Sequence, residues 1–540
     1  MMTQMELIGL DQRSSVDLQQ LRTLLQKHYG FADFRKGQIG ILESILSGQD
    51  TLAVMPTGGG KSLCYQIPAL LPQGGIVVVV SPLIALMRDQ VQNLKSLGIP
   101  AGALHSGQDL GEKRDVFSQL NNAHRFILYV SPERVQNDGF APWLQKQKNI
   151  RLFAIDEAHC ISQWGSDFRQ DYYKLKLLKD LRPDVPILAL TATATPPVLD
   201  DISRQLKLRS PAKHVYGFYR PNLFYQVETC EKEDLKAEWV KAALRQFPQG
   251  RVIIYCGTRK KTVELATALK GEFKGVDYYH AGRSSDMRSK IQTKFENGKT
   301  RILVATNAFG MGIDHPDVRL LIHLQMPANI ESLYQEMGRA GRDGAESTCL
   351  LLYSKKDKGL QAYFIQSSDA PDEILQSKWR ALDTITQFVE VFECRHAGVL
   401  SYFRDPARMK ACGHCDVCAP DSLRKVQEPS RDANESTLPS FKRRSKTKAR
   451  AIVKSKAHTA QLSESEERAY ELIKDWRRDF AAKNDQPAFM VFSNKALEDL
   501  VRKDPRSLDE LLDVKGFGPH KIEIMGEELL SQLTKARELS

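Results

Sequence analysis

The sequence predicts an α/β protein: two doubly wound parallel-sheet domains, then a small cysteine-bearing helical module and a C-terminal all-α domain. Apolar, β-branched runs alternate with helical stretches through residues 1–209, and the alternation restarts over 210–354. Short polar motifs follow the apolar runs directly, where the carboxyl ends of parallel strands collect ligands. After 354 the strand pattern stops. Clustered cysteines occupy 355–420, a Ser-, Lys- and Arg-rich linker 421–461, and helical periodicity 462–540. A chain of 540 residues is too long for one core, so several domains are expected.

Lys and Arg total 77 against 66 Asp and Glu, a net charge of +11. Eleven Lys or Arg and four Asp or Glu lie between Asp421 and Lys456, so most of the excess sits in the linker. No apolar run approaches the ~18 residues that span a bilayer, and Met1 to Gln12 lacks a basic-then-apolar leader. A soluble intracellular protein with no membrane partner is expected. Cys64, Cys160, Cys230, Cys256 and Cys349 are isolated in apolar or motif contexts, the pattern of reduced thiols rather than a disulfide framework.

Thr51-Leu52-Ala53-Val54 reads as a buried strand running into Met55-Pro56-Thr57-Gly58-Gly59-Gly60-Lys61-Ser62 and then a helix. The three glycines let backbone N–H groups approach phosphate oxygens without Cβ interference, and the helix N-terminus adds its positive dipole end. Lys61 is placed for the β- and γ-phosphates, and Ser62 for Mg²⁺. Upstream, Val16 to Tyr29 carries leucines at helical spacing and leads to Phe31-Ala32-Asp33-Phe34-Arg35-Lys36-Gly37-Gln38. Arg35 and Gln38 are placed to bracket an adenine, with Phe31 or Phe34 either stacking on it or packing into the core.

Gly75 to Val80 is a continuous β-branched run ending in Ser81-Pro82, and Ile127 to Val130 ends in Ser131-Pro132. Leu152 to Ile155 ends in Asp156-Glu157-Ala158-His159, and Ile187 to Leu190 in Thr191-Ala192-Thr193-Ala194. At a strand end beyond a phosphate loop, one of Asp156 and Glu157 can hold Mg²⁺ while the other polarises a water for attack on the γ-phosphate.

The DEAH tetrapeptide, the Ser-Pro strands and Thr-Ala-Thr together resemble superfamily 2 helicases. The continuation Cys160-Ile161-Ser162-Gln163-Trp164-Gly165-Ser166-Asp167-Phe168-Arg169 resembles the aromatic-rich loop of RecQ-family DNA helicases, and Met55 in place of the usual first Gly is similar to that family's phosphate loop. The resemblance implies two RecA-like domains, ATP and Mg²⁺, and 3′→5′ translocation with DNA unwinding in recombination and repair. It implies single-stranded and tailed or branched duplex DNA as partner. A monomer is expected, at the nucleoid in the bacterial cytoplasm or in a eukaryotic nucleus, the bacterial setting being favoured. Trp164 and Phe168 offer faces for base stacking, worth about 1–3 kcal/mol per base, and Arg169 a phosphate contact. His159 and Gln163, with Thr191 and Thr193, would report nucleotide state to the DNA loop.

In the second half, Arg251 to Cys256, Arg301 to Thr306 and Leu320 to Leu324 read as strands without a phosphate loop of their own. Ala305-Thr306-Asn307-Ala308-Phe309-Gly310-Met311-Gly312-Ile313-Asp314 resembles helicase motif V, which implies a nucleic-acid contact for Thr306 and a nucleotide contact for Asp314. His315 stands where the family often has lysine. In Tyr334-Gln335-Glu336-Met337-Gly338-Arg339-Ala340-Gly341-Arg342-Asp343, two arginines three apart share a helical face and can point across a cleft. The resemblance favours Arg342 as the finger to the γ-phosphate, with Arg339 as its neighbour.

Cys394, Cys412, Cys415 and Cys418 supply four thiolates for a closed tetrahedral Zn²⁺ site of structural type. His396 or His414 are substitute ligands, and an iron–sulfur cluster is the chemical rival. Leu462 to Leu533 resembles the small HRDC domain of RecQ helicases. Within it, Lys515-Gly516-Phe517-Gly518-Pro519-His520-Lys521 either opens a helix toward a phosphate or packs as a loop. The linker is too short for the winged-helix domain of longer family members, which keeps a DNA-stimulated translocase, remodeller or annealing protein as the alternative to processive unwinding. Its basic run, Phe441 to Arg450, either holds phosphates or solvates a tether.

Overall fold

The computed structural model describes residues 17–136, 139–162, 169–310, 315–368, 370–429, 462–484, 488–492, 494–514, 516–517 and 519–538. The first sheet has seven parallel strands: β1 (Thr51–Val54), β2 (Gly75–Val80), β3 (Ala101–Leu104), β4 (Arg125–Val130), β5 (Ile150–Ile155), β6 (Ile187–Thr191) and β7 (Ala212–Val215). Their spatial order is β3-β4-β2-β5-β6-β1-β7. Helical crossovers cover both faces, as parallel pairing requires. Successive side chains therefore feed opposite cores: Leu52, Val54, Val78 and Val80 enter one, Ala53, Val77 and Val79 the other. Strand β1 lies between β6 and β7, which puts the phosphate loop at an internal carboxyl edge. Because β7 pairs with β1, the first sheet runs past the expected boundary at 209.

The second sheet comprises β8 (Leu223–Thr229), β9 (Arg251–Tyr255), β10 (Val276–Tyr279), β11 (Ile302–Ala305), β12 (Val318–His323) and β13 (Ser347–Tyr353), in the order β10-β11-β9-β12-β13-β8 and all parallel. Each sheet carries a buried ion pair whose carboxylate also satisfies backbone N–H groups. Asp50 receives Lys179 Nζ at 2.8 Å and the N–H groups of Ile187 and Arg209 at 2.9 Å. Asp357 receives Lys236 Nζ at 2.9 Å and the N–H groups of Ser354 and Met326 at 3.0 and 3.3 Å. Such pairs persist because every remaining lone pair is used.

After the second sheet come helices Lys355–Gln366, Asp372–Glu390 and Arg395–Tyr402, and the chain then returns to the sheet edge. Asp416 N–H donates to Tyr225 O at 2.9 Å. The Gln226 side chain donates to Val426 O at 2.9 Å and accepts from Val426 N–H at 2.7 Å. The start of the expected linker is thus packed structure; the rest, 430–461, lies outside the described residues.

Helices Glu464–Lys483, Ala488–Val491, Asn494–Lys503, Leu508–Leu512 and Pro519–Glu538 form the C-terminal domain around Ile473, Phe480, Leu497, Leu500 and Leu529. Ser463 and Glu466 form a capping box at its first helix. Phe517 is buried in this core, which favours packing over phosphate binding for its loop; Lys515 and Gly518 lie outside the described residues. Arg477 is fully buried and donates to Phe492 O at 2.9 Å and, at 2.8 Å, to Asn494 Oδ1 and Glu393 Oε1. The last bond docks the helical domain on the cysteine module. Arg477→Met should lower the stability of the helical domain by about 3 kcal/mol by leaving these acceptors unpaired. Trp476 fluorescence during urea unfolding would read the shift. Among the described residues no helix is long and apolar enough to cross a membrane.

Candidate active site and metal centre

The phosphate loop between β1 and helix Lys61–Leu70 turns through left-handed Gly58 (φ 78°) and Gly60 (φ 80°), conformations open to glycine without strain. A Cβ at Gly60 would lie 2.5 Å from Gln38 Nε2. Gln38 is buried and spans the loop, donating to Gly60 O at 2.9 Å while accepting from Arg35 N–H at 2.7 Å. Arg35 in turn donates to Gly58 O. Arg35 and Gln38 therefore brace the phosphate loop from outside it. Of the two candidate aromatics, Phe34 packs against the core and Phe31 is exposed. Lys61 Nζ lies 3.3 Å from Met55 O.

Two strands away, the N–H of Asp156 extends the pairing of β5 through Val80 O at 2.9 Å. Burial and the neighbouring Glu157 push the Asp156 carboxyl up to about 7, with Lys61 opposing. A carboxyl so placed gains from a nearby cation. Glu157 sits in the left-handed region at φ 49°, a backbone cost that over-determined surroundings must hold. His159 supplies part of that hold: Nδ1 lies 3.3 Å from Glu157 Oε2 and 2.9 Å from Thr191 Oγ1. Since Thr191 Oγ1 donates to Thr193 O at 3.0 Å, Nδ1–H is the donor in the bond between His159 and Thr191. Thr193 Oγ1 accepts from Gln335 Nε2 of the second domain at 2.7 Å. The carboxylate end of the first sheet is thereby connected across the cleft, through a glutamine that sequence reasoning did not single out.

The arginine motif closes the same cleft. A Cβ at Gly58 would lie 3.4 Å from Arg342 Cγ, and one at Gly338 would lie 3.1 Å from Thr57 Oγ1, so the two motifs are in contact. Arg339 is buried and donates to Gly310 O, fixing the motif V turn. Thr306, also buried, bonds through its N–H to Tyr279 O at 3.1 Å. Asp314 lies outside the described residues, as do Gln163, Trp164 and Phe168. The aromatic loop is nevertheless anchored at each end: Ser162 Oγ donates to Asp201 Oδ2 at 2.7 Å, and Arg169 Nη1 to Pro82 O at 3.3 Å.

The Sγ atoms of Cys394, Cys412, Cys415 and Cys418 all lie within 4.8 Å of one another, which fits a tetrahedral thiolate site for Zn²⁺. The ligand atoms of His396, Cys412 and His414 also lie within 4.8 Å of one another, but His396 is engaged elsewhere: its Nε2 is 3.0 Å from Leu223 O and its ring stacks on Tyr225 at 4.1 Å. Burial and His414 pull its pKa down to about 4, keeping it neutral.

Comparison with known proteins follows this layout. The DEAD/DEAH box helicase family matches residues 35–202, the helicase conserved C-terminal domain 235–344, RecQ zinc-binding 355–419 and the HRDC domain 466–533. A Bacillus subtilis protein named ATP-dependent DNA helicase RecQ is 32% identical, the match covering 96% of this chain and 98% of that one. The chain belongs to the RecQ family. A Haemophilus influenzae protein of the same name is 41% identical over 73% of this chain and 63% of its own length. This RecQ-family chain thus spans under two thirds of some relatives and nearly all of others. Its fold is also that of a yeast Dbp5 structure bound to RNA and ADP BeF3, with TM-score 0.52 and 19% identity over 68% of this chain and 99% of that one.

Proposed function

We propose that this RecQ-family chain is an ATP-dependent, Mg²⁺-requiring DNA helicase that moves 3′→5′ and separates strands, acting as a monomer on single-stranded and tailed or branched duplex DNA where the genome lies. One observation carries the reading: the phosphate loop belongs to one sheet and Arg342, packed on Gly58, to the other. A site split this way makes nucleotide turnover and relative domain movement one event.

In this reading the loop N–H groups and Lys61 hold the phosphates, and Gln38 with Arg35 selects the base. Mg²⁺, held by Ser62 and Asp156, would neutralise phosphate charge. Glu157 orients the attacking water, and His159 keeps that carboxylate in place. Arg342 meets the charge that develops on the γ-phosphoryl group, with Arg339 positioning the turn behind it. The Thr191, Thr193 and Gln335 contacts carry closure toward the loop that includes Trp164 and Phe168, while Thr306 faces the strand. Cys394, Cys412, Cys415 and Cys418 hold Zn²⁺ structurally.

Strand separation on DNA duplexes with a 3′ or a 5′ tail tests the reading. Unwinding of the 3′-tailed duplex with ATP and Mg²⁺, its absence with a nonhydrolysable nucleotide, and little effect on the 5′-tailed duplex are expected. DNA-stimulated hydrolysis with no strand separation would replace the helicase by a translocase or annealing protein, the alternative that the 421–461 interval, too short for a winged helix, leaves open.

A further inference from the structure

The segment joining the two sheets, 216–222, is where the phosphate loop, the arginine turn and the zinc module meet. Phe218 N–H donates to Asp405 Oδ2 at 2.9 Å, and its ring stacks on Phe403 at 4.1 Å with 5° between planes. Tyr334, in the helix Ile330–Met337 that precedes the arginine turn, donates from its hydroxyl to Phe218 O at 3.2 Å. Within this braced segment Arg220 has its own set of partners. Its Nη1 donates to Thr57 O at 3.3 Å, in the phosphate loop. Its Nη2 donates to Ala340 O and Gly341 O at 3.1 Å, the two residues between Arg339 and Arg342. Asn222 holds the same turn, donating from Nδ2 to Gly341 O at 2.8 Å and Ala345 O at 3.0 Å. Gly341 has φ 54°, and a Cβ there would lie 2.4 Å from Asn222 Nδ2, so the turn is shaped around this grip.

We infer that Arg220 is a positioning residue for ATP turnover, a strut that sets the separation between the phosphate loop and the Arg342 turn when the sheets close. The inference rests on the split-site reading above. Two of its three bonds, and both bonds of Asn222, belong to the second domain, so the guanidinium travels with the arginine turn. The bond to Thr57 O is the longest and crosses the cleft. It is the one that breaks on opening and re-forms on closure. The guanidinium reaches Thr57 O from Nη1 and the turn carbonyls from Nη2; the single nitrogen of an ammonium keeps the charge but cannot occupy both places. Arg220 touches no reacting atom. Its effect comes through the placement of Arg342, where a displacement of about 1 Å can cost about a hundredfold in rate.

The test is Arg220→Lys in the full chain, with three readouts. Steady-state ATPase at saturating single-stranded DNA should show kcat lowered about ten- to a hundredfold, with KM for ATP within about twofold because uniform binding is untouched. Energy transfer between fluorophores placed at exposed Arg204 and Lys260, one on each domain, should show that a nonhydrolysable nucleotide closes the wild type and closes the variant less. Zinc content and melting temperature should match the wild type. A variant that closes as the wild type does and keeps kcat within twofold overturns the strut. So does a fall in kcat accompanied by lost zinc or a lowered melting temperature, which assigns Arg220 a purely structural role. A wild type without DNA-stimulated ATPase would overturn the helicase reading instead, and the energy-transfer comparison would still decide whether Arg220 governs closure.

Discussion

Replacing Arg342 by alanine should lower DNA-stimulated ATP turnover by about 10³–10⁵, or about 4–7 kcal/mol of barrier, with nucleotide binding nearly unchanged. The magnitude follows from where the charge is needed. In the proposed site, charge on the γ-phosphoryl group is met by an arginine from the second domain, and Arg342 of that domain packs on the phosphate loop at Gly58. Arg339 cannot stand in for it, because its guanidinium is buried and committed to Gly310 O. Steady-state ATPase paired with binding of a fluorescent nucleotide analogue would measure both halves of the prediction. A loss smaller than about tenfold would move the finger to another residue.

Cys415→Ser, or extraction of the metal by a strong chelator, should reduce bound zinc from one per chain to near zero and unfold the module with it. Structural zinc sites contribute apparent binding free energies of about 10–16 kcal/mol, and losing one of four thiolates forfeits most of that. The damage would not stay local. Cys415 is fully buried and bridges to Tyr225 of β8. Next to it, Asp416 accepts from Val227 N–H at 3.0 Å and from the Arg395 guanidinium at 3.0 to 3.3 Å. The edge of the second sheet therefore melts with the module. Colorimetric zinc release alongside calorimetry would show it. A serine variant that retains a full zinc equivalent and melts like the wild type would show that the remaining three thiolates suffice.

Which parts of this were legible in the sequence has a physical explanation. Gly75 to Val80 and Leu320 to Leu324 announce themselves because strands buried on both faces must be apolar throughout. The phosphate loop and the cysteine cluster were legible because their chemistry fixes residue spacing along the chain. Strand β3, Ala-Gly-Ala-Leu, carries no β-branched residue, and β7 is a four-residue edge strand; pairing partners, not propensity, make them strands. Strands β8, β10 and β13 also went unread, although β8 and β10 carry aromatic and β-branched residues and β13 is buried throughout. The Thr193–Gln335 bond and the Arg220 bonds join residues more than a hundred positions apart, and nothing local in either partner marks the other. Phe31 and Phe34 show the limit from the other side: equal aromatics three apart, of which the fold packs one, half-buried, against the core and leaves the other exposed.

The place of β1 in its sheet has a consequence for the nascent chain. It leaves the ribosome well ahead of both of its neighbours, β6 and β7, which follow about 135 to 160 residues later. At about 5–20 residues per second that delay is roughly 7–30 s, during which an apolar strand and its glycine loop have no partner on either side. Strand β8 waits similarly for β13, and Gln226 for Val426. Until residue 215 emerges, a stalled or truncated chain would present β1 as an open edge able to recruit another chain.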